Sequence, residues 1–144
     1  MPRFRVRVAL SAAVAMLASV GFATVVVAAP AQASTPHCTS SKFVFTDSFY
    51  EHRVPSVASS NSHACTLSYG DEGEGVRTLQ WVLNKCNGAD LTIDRKFGSA
   101  TKSALQKAQR DSGVEDDGIY GSDTRAAILW AKYRDGGFAG CRWW

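Results

Sequence analysis

Apolar residues recur at spacings of three and four from residue 74 onward, which is the period of an amphipathic helix. Val76 and Leu79 begin this pattern, and it predicts a helix from about Glu74 to Cys86. The same pattern predicts a second helix from about Ser99 to Asp111 and a third from about Ser122 to Arg134. Three short helices joined by short loops favour an all-α fold, a compact three-helix bundle.

The segments that lead into the second and third helices follow one pattern, repeated 23 positions apart. Asp94-Arg-Lys-Phe-Gly-Ser-Ala-Thr101 is the first copy, and Asp117-Gly-Ile-Tyr-Gly-Ser-Asp-Thr124 is the second. Glycine permits tight turns, and Ser, Thr and Asp oxygens accept hydrogen bonds from the free N–H groups of a helix start. The pattern therefore predicts an internal repeat of one loop that begins a helix.

Residues 34–67 have a different pattern. Lys42-Phe-Val-Phe-Thr46 and Phe49-Tyr50 favour β-strand, Pro55 interrupts, and a polar stretch follows at residues 57–63. We predict a short strand or hairpin here, that is, a disulfide-tethered and partly β amino-terminal extension. It would pack on a helical domain that spans residues 68–144.

The first 33 residues have the composition of an export signal. Three arginines precede an uncharged run from Val8 to Ala29, and Ala31-Gln-Ala33 gives the small-x-small pattern of a cleavage site. The alternative is an uncleaved anchor, because 22 residues at about 1.5 Å each could just cross a hydrocarbon core of roughly 30 Å. Pro30 and the cleavage site favour a signal peptide over residues 1–33, cut before Ser34. We expect a secreted protein, extracellular or associated with the cell wall.

Removal of that segment changes the charge balance. Its three arginines account for the whole formal charge of +3, so the remaining residues, about 111, carry equal numbers of basic and acidic side chains. A neutral protein has no broad field to attract phosphate backbones or anionic lipids. We therefore expect neither nucleic acid nor, after signal removal, a membrane as a partner.

All four cysteines lie in the part predicted to be exported. An even number of cysteines in an oxidising compartment indicates two disulfides. Three pairings are possible, and two of them stay under consideration: Cys38 with Cys65 and Cys86 with Cys141, or Cys65 with Cys141 and Cys38 with Cys86. No Cys-x-x-Cys pair exists and the three histidines all precede residue 64, so we expect no metal site and no cofactor.

One combination of motifs runs through the helical region: Gly73-x-Gly75-Val76-x-x-Leu79-Gln80-x-x-Leu83, Ile93-Asp94-x-x-Phe97-Gly98-x-x-Thr101-x-x-Ala104-Leu105-x-x-Ala108-Gln109, Gly113-Val114 and Asp117-Gly118-Ile119-Tyr120-Gly121-x-x-Thr124. This combination resembles the peptidoglycan-binding-like domain found beside bacterial cell-wall hydrolases. The resemblance spans about residues 68–133 and implies a three-helix bundle that attaches to the wall polymer, or serves as a substrate-guiding or pro-segment. Two positions depart from the family pattern: Arg95 stands where glycine is usual, and Ala108 where an aromatic residue precedes Gln109.

A peptidoglycan site would need an aromatic face, hydrogen-bonding groups and a cation, because the polymer offers hydroxyls, amides, methyl groups and carboxylates. A structural interpretation competes: Phe97 and Tyr120 would fill the core, Asp117 would brace its own turn as Asp94 does, and Arg125 would be solvated. The candidate ligand-binding residues are Gln80, Trp81, Asp117, Tyr120 and Arg125.

Catalysis finds little support in the sequence. The helical region contains no histidine to activate a nucleophile, and its best-placed carboxylates, Asp94 and Asp117, belong to the repeated loops. We predict a secreted module, not an enzyme, that binds the glycan or the stem peptide of bacterial peptidoglycan. The alternative is a secreted protein-interaction or inhibitor protein that uses the same scaffold to engage an extracellular hydrolase.

Overall fold

The computed structural model describes residues 34–45 and 49–144, so the predicted signal peptide at residues 1–33 lies outside the described part. Within this part, two strands precede three helices and two more strands follow them. No helix in the described residues is long and apolar enough to cross a membrane. The elements are β1 (Ser40–Phe45), β2 (Glu51–Ser56), α1 (Glu74–Cys86), α2 (Ser99–Asp111), α3 (Ser122–Ala127), β3 (Trp130–Arg134) and β4 (Gly137–Arg142).

The four strands form one antiparallel sheet in the order β1-β2-β3-β4. The prediction of an all-α three-helix bundle is therefore wrong. The predicted amino-terminal hairpin is confirmed, since β1 pairs with β2 from Ser40 opposite Ser56 to Phe45 opposite Glu51. All three helices lie in the connection between β2 and β3, so the helical region is an insertion between two neighbouring strands of the sheet.

The third helix is shorter than predicted, because its expected second half is strand β3. Helix α3 ends at Ala127, and Ile128 already has an extended backbone with ψ of 160°. Asp135 and Gly136 have φ of 50° and 77°, the left-handed pair of a two-residue hairpin turn, and they join β3 to β4. The Asp135-Gly136 pair therefore reverses the chain between two strands.

Helices α1 and α2 begin and end at the predicted residues, and their apolar faces form the core. The side chains of Val76, Leu79 and Leu83 are fully buried on α1. Each buried aliphatic side chain contributes about 1.5–3 kcal/mol to folding. The other large apolar residues of the core come from the strands and loops as well as from α2: Val54, Leu67, Phe97, Leu105, Tyr120, Ile128 and Trp130.

Both disulfides join the sheet to the helical insertion. Of the two pairings left open, the structure has the sequence-local one, Cys38–Cys65 and Cys86–Cys141. Cys38 lies just before β1, and Cys86 ends α1 and reaches β4. Bridges across separations of 27 and 55 residues contribute about 3.5 and 4 kcal/mol on the chain-entropy model.

Candidate functional site

The first repeated loop, residues 94–101, is held by a glutamine of α1. Gln80 is 1% exposed, and its amide Oε1 accepts the backbone N–H of Arg95 at 3.1 Å. Its Nε2 donates to three oxygens of the same loop. These are Asp94 Oδ1 at 2.8 Å, the Lys96 carbonyl at 3.1 Å and Thr101 Oγ1 at 3.1 Å.

The second loop, residues 117–124, is held in the same way by Gln109 of α2. Its Oε1 accepts the backbone N–H of Gly118 at 2.9 Å. Its Nε2 donates to Asp117 Oδ1 at 2.9 Å, the Ile119 carbonyl at 3.0 Å and Thr124 Oγ1 at 2.9 Å. The repeat in sequence is therefore a repeat of one hydrogen-bonded brace. Gln109 was not among the candidate residues, although the motif already contained a Gln on each of the helices that precede the loops.

The two loops differ at the residue that adopts the left-handed conformation. Gly118 has φ of 71° and Arg95, at the matching position, has φ of 67°. The left-handed conformation strains the backbone of Arg95 more than it would strain glycine. The Arg95 guanidinium contacts the Glu74 carboxylate at 2.7 Å. The hydrogen bond from Gln80, together with the backbone N–H of Lys96, holds the pKa of Asp94 below its ordinary value. The first loop therefore keeps its turn without the usual glycine.

Two of the five candidate ligand residues are buried. Gln80 is occupied by the first loop, and Tyr120 is fully buried with its ring edge-on to Trp130 at 6.1 Å between centroids. Burial raises the pKa of the Tyr120 phenol, and the charge of Arg125 partly offsets that effect. Both side chains are placed to position their loops rather than to face solvent.

Asp117 and Arg125 also have partners within the fold. Asp117 accepts hydrogen bonds from Gln109 and from the backbone N–H of Ile119 at 2.8 Å. Arg125 donates to the His63 carbonyl at 2.6 Å, and its guanidinium lies 5.5 Å from the centroid of the Trp144 ring. These contacts tie α3 to the polar stretch after β2 and to the end of the chain.

Trp81 lies apart from the other four candidates, against the sheet. Its ring stacks on Tyr133 at 5.9 Å and meets Phe138 edge-on at 6.3 Å, while Phe43 meets Tyr133 edge-on at 5.8 Å. We call Phe43, Trp81, Tyr133 and Phe138 the aromatic cluster. In the described part of the chain, no hydrogen bond or ring contact joins Trp81 to Asp117, Tyr120 or Arg125. Trp81 therefore contacts a different set of side chains from Asp117, Tyr120 and Arg125.

A cleft of about 130 Å³ lies between α1 and the sheet beside this cluster. We call it the arginine cleft, because two guanidinium groups line it together with a hydroxyl and two rings. Burial raises the pKa of the Tyr133 phenol at its wall, and Arg53 opposes that effect. The lining residues are Arg53, Arg77, Thr78, Trp81 and Tyr133.

The charges around the arginine cleft do not cancel. The Glu74 carboxylate is shared by three arginines, with distances of 2.7 Å to Arg95, 3.5 Å to Arg77 and 3.8 Å to Arg53. Arg53 also donates its Nε–H to Ser41 Oγ at 3.0 Å, which orients the guanidinium. Three cations against one anion leave a local positive charge around Glu74. The sequence did not indicate this site, because its residues come from α1, β2 and β3.

The described residues contain no group of three or more His, Cys, Asp or Glu side chains placed to hold a metal ion. The geometry of the arginine cleft instead suits a small anion with an apolar part. Guanidinium groups bind carboxylates through paired N–H donors, and aromatic faces accept methyl groups and sugar rings.

Residues 72–128 match the family model described as Putative peptidoglycan binding domain. The chain belongs to this family, and the resemblance noted from its motifs is confirmed. The matched segment covers α1, α2, α3 and both repeated loops, and it lies within the insertion between β2 and β3. Arg53 and Tyr133 of the arginine cleft lie outside it.

The chain is similar to curated proteins over part of their length. It is 48% identical to the zinc D-Ala-D-Ala carboxypeptidase of Streptomyces albus G over 61 residues, which is 41% of this chain and 24% of that enzyme. It is 35% identical over 86 residues to an uncharacterized protein in the bpoA1 3'region of Kitasatospora aureofaciens, covering 54% of this chain and 69% of the relative. The chain thus spans about a quarter of the carboxypeptidase.

Two solved structures are also similar. The endolysin of Burkholderia phage AP3 is 43% identical, with 42% of this chain and 23% of that chain covered and a TM-score of 0.41. A peptidoglycan-binding protein from Clostridioides difficile, solved in complex with glutamine hydroxamate, is 24% identical, with 58% and 53% covered and a TM-score of 0.45.

Proposed function

We propose that the protein is a secreted, non-catalytic module that binds bacterial cell-wall peptidoglycan. The observation that carries the proposal is the family match over residues 72–128, which includes all three helices and both braced loops. Export is supported by the signal-like composition of residues 1–33.

A non-catalytic role is supported by the state of the two carboxylates that catalysis would need. Asp94 and Asp117 each accept hydrogen bonds from a buried glutamine and from the backbone of their own loop. The lowered pKa of Asp94 keeps that carboxyl ionised at neutral pH, so it is poorly suited to act as a general acid. Both side chains serve the turns in which they lie.

The surface that supports binding is the aromatic cluster. Its centre, Trp81 stacked on Tyr133, is partly buried, while Phe43 and Phe138 are half exposed at its two ends. Lys85 places its ammonium 4.7 Å from the centroid of the Phe138 ring. Rings held by packing provide a rigid apolar face for sugar rings and methyl groups at little cost in conformational entropy.

The test is cosedimentation of the purified protein with insoluble peptidoglycan, using a variant of the cluster and a matched control. Phe138→Ser removes a ring that is 46% exposed, and Tyr69→Ser removes one that is 67% exposed and that no ring contact in the described residues joins to the cluster. We expect Phe138→Ser to weaken retention about fivefold to tenfold, as loss of an exposed interface ring does, and Tyr69→Ser to leave it unchanged.

Equal retention of both variants and the parent protein would remove the aromatic cluster from the proposal. Failure of the parent protein to sediment with peptidoglycan would remove the proposal itself. Thermal unfolding of each variant shows whether a loss of binding reflects a loss of folded protein.

A second candidate is a protein-interaction or inhibitor role towards an extracellular hydrolase. It is favoured by one observation, namely that the aromatic cluster combines Phe43 of the amino-terminal hairpin with Trp81 and Tyr133 of the rest of the chain. Rigid aromatic residues dominate the binding energy of many protein interfaces. A pull-down from culture fluid that recovers a hydrolase but no glycan would decide for this role.

A further inference from the structure

We infer that the arginine cleft binds the free terminal carboxylate of a peptidoglycan stem peptide. This inference rests on the proposed function and deepens it, because it names the part of the polymer that is bound and the residues that bind it. Two of those residues, Arg53 and Tyr133, lie outside the family segment.

The guanidinium groups of Arg53 and Arg77 have spare hydrogen-bonding capacity. Charge-assisted N–H···O bonds have lengths of about 2.7–2.9 Å, which the contact of Glu74 with Arg95 satisfies. Arg77 donates one long hydrogen bond of 3.5 Å to the same carboxylate, and Arg53 approaches it only to 3.8 Å while its Nε–H bonds Ser41. Each guanidinium has five N–H donors, so both keep donors to offer. Arg95 does not line the cleft, whereas the other two arginines do. The two arginines that line the cleft therefore keep N–H donors that Glu74 does not use.

The arginine cleft also has a residue with a buried hydroxyl, Thr78, in its wall. Thr78 lines the cleft and is 4% exposed, and among the residues that the structure describes no hydrogen-bond partner reaches its Oγ1. Buried polar groups in folded proteins nearly always have a partner. The Oγ1 atom itself is shielded from solvent, so a carboxylate oxygen in the cleft would accept a hydrogen bond from this hydroxyl after a rotation of the Thr78 side chain.

The size of the cleft and its aromatic walls also limit the ligand that it can hold. Its volume of about 130 Å³ is well below the roughly 300–1,000 Å³ of pockets that enclose a whole small molecule. It suits the end of a chain. Trp81 and Tyr133 give it two aromatic walls, which favour a small apolar side chain such as the methyl group of alanine beside the carboxylate. A phosphate has the charge but lacks an alkyl group for these walls.

The experiment titrates the purified protein with N-acetyl-D-Ala-D-Ala and with the same dipeptide as its carboxy-terminal amide, by calorimetry or by NMR shifts. The acid should bind and the amide should bind at least about tenfold more weakly, because the amide carries no charge for the arginines. Inorganic phosphate at the same concentration should not displace the acid. This comparison uses one protein and requires no variant.

Variants then assign the binding to the cleft. Arg53→Gln and Arg77→Gln should each weaken binding of the acid about tenfold, and Thr78→Val should weaken it about threefold. The matched control is Arg110→Gln, which removes an exposed arginine that pairs with Asp116 at 2.7 Å and does not line the cleft. It should leave the affinity for the acid unchanged. Thermal unfolding confirms that each variant is folded.

Equal binding of the acid and the amide would overturn the inference, and so would a loss with Arg110→Gln as large as with Arg53→Gln. Displacement by phosphate would mean an anion site without peptide specificity and would overturn it too. A protein that sediments with peptidoglycan but binds no dipeptide has the proposed function without this site. If the protein neither sediments with peptidoglycan nor binds the dipeptide, both the proposed function and this inference are wrong.

Discussion

Replacement of Gln109 by leucine tests how far the second loop depends on its brace. The change keeps the approximate volume of a side chain that is 1% exposed and removes its amide. Four hydrogen bonds of 2.9–3.0 Å are lost together. Their partners in the loop are Asp117, Gly118, Ile119 and Thr124.

The expected loss of stability depends on whether those partners have other groups to form hydrogen bonds with. Thr124 Oγ1 still donates to the Ile119 carbonyl at 3.1 Å, and the exposed carboxylate of Asp117 can reach water. The backbone N–H of Gly118 is buried and has no such alternative. One buried donor without a partner costs about 1–3 kcal/mol. The other three partners keep a hydrogen bond or reach water, so together they cost about 1 kcal/mol, and we expect a loss of about 2–4 kcal/mol in unfolding free energy. That is a large part of a total of roughly 5–15 kcal/mol.

Gln80→Leu provides the comparison, because it breaks the matching brace of the first loop. There the orphaned N–H belongs to Arg95, an exposed residue, so water can replace the lost partner and the cost should be about 1–2 kcal/mol. Gln106→Leu is the control, since it removes one exposed hydrogen bond to the Asp116 carbonyl and should cost less than about 0.5 kcal/mol.

Urea unfolding with the disulfides intact measures these free energies. In thermal unfolding, the Tm should fall by roughly 10 °C for Gln109→Leu. A loss no larger than that of Gln106→Leu would refute the brace. A larger loss for Gln80→Leu than for Gln109→Leu would refute the reasoning about solvent access.

Three further changes test other parts of the structure. Asp94→Asn removes a carboxyl whose pKa lies below its ordinary value of 3.8. The stability that this ionised carboxyl contributes is present above that ordinary value and disappears as the pH falls through the folded-state pKa. The Tm difference between the variant and the parent should therefore shrink below about pH 4. Removal of the Cys86–Cys141 bridge by a double alanine substitution should cost about 4 kcal/mol in urea unfolding, and an unchanged midpoint would contradict its role. Gly75→Ala places a methyl group against the Cys38 carbonyl oxygen and should cost about 1–3 kcal/mol by calorimetry, where a gain in stability would show that α1 can move away.

Local patterns predicted the local features of the fold. The apolar spacing located α1 and α2 at their observed bounds, because the positions that face the core lie within one turn of each other in sequence. The repeated loops and the amino-terminal hairpin were also legible from neighbouring residues. Phe97 and Tyr120 are buried at matching positions of the two loops, as the structural interpretation of the repeat expected.

The features that were missed depend on residues far apart in the chain. Strand β3 pairs with Glu51 and His52, so a stretch that reads as helix is held extended by partners about eighty residues earlier. The choice between the two disulfide pairings depended on β4, which brings Cys141 to the end of α1. The arginine cleft needed that same sheet, because its two guanidinium groups lie on β2 and α1.

The most direct test of the central claim is to incubate the purified protein with insoluble peptidoglycan and to measure both the sedimented protein and the soluble fragments released. A binding module should show saturable retention in the pellet and no fragments above the level of a protein-free control. Absence of retention, or release of fragments that rises with protein concentration, would contradict the claim.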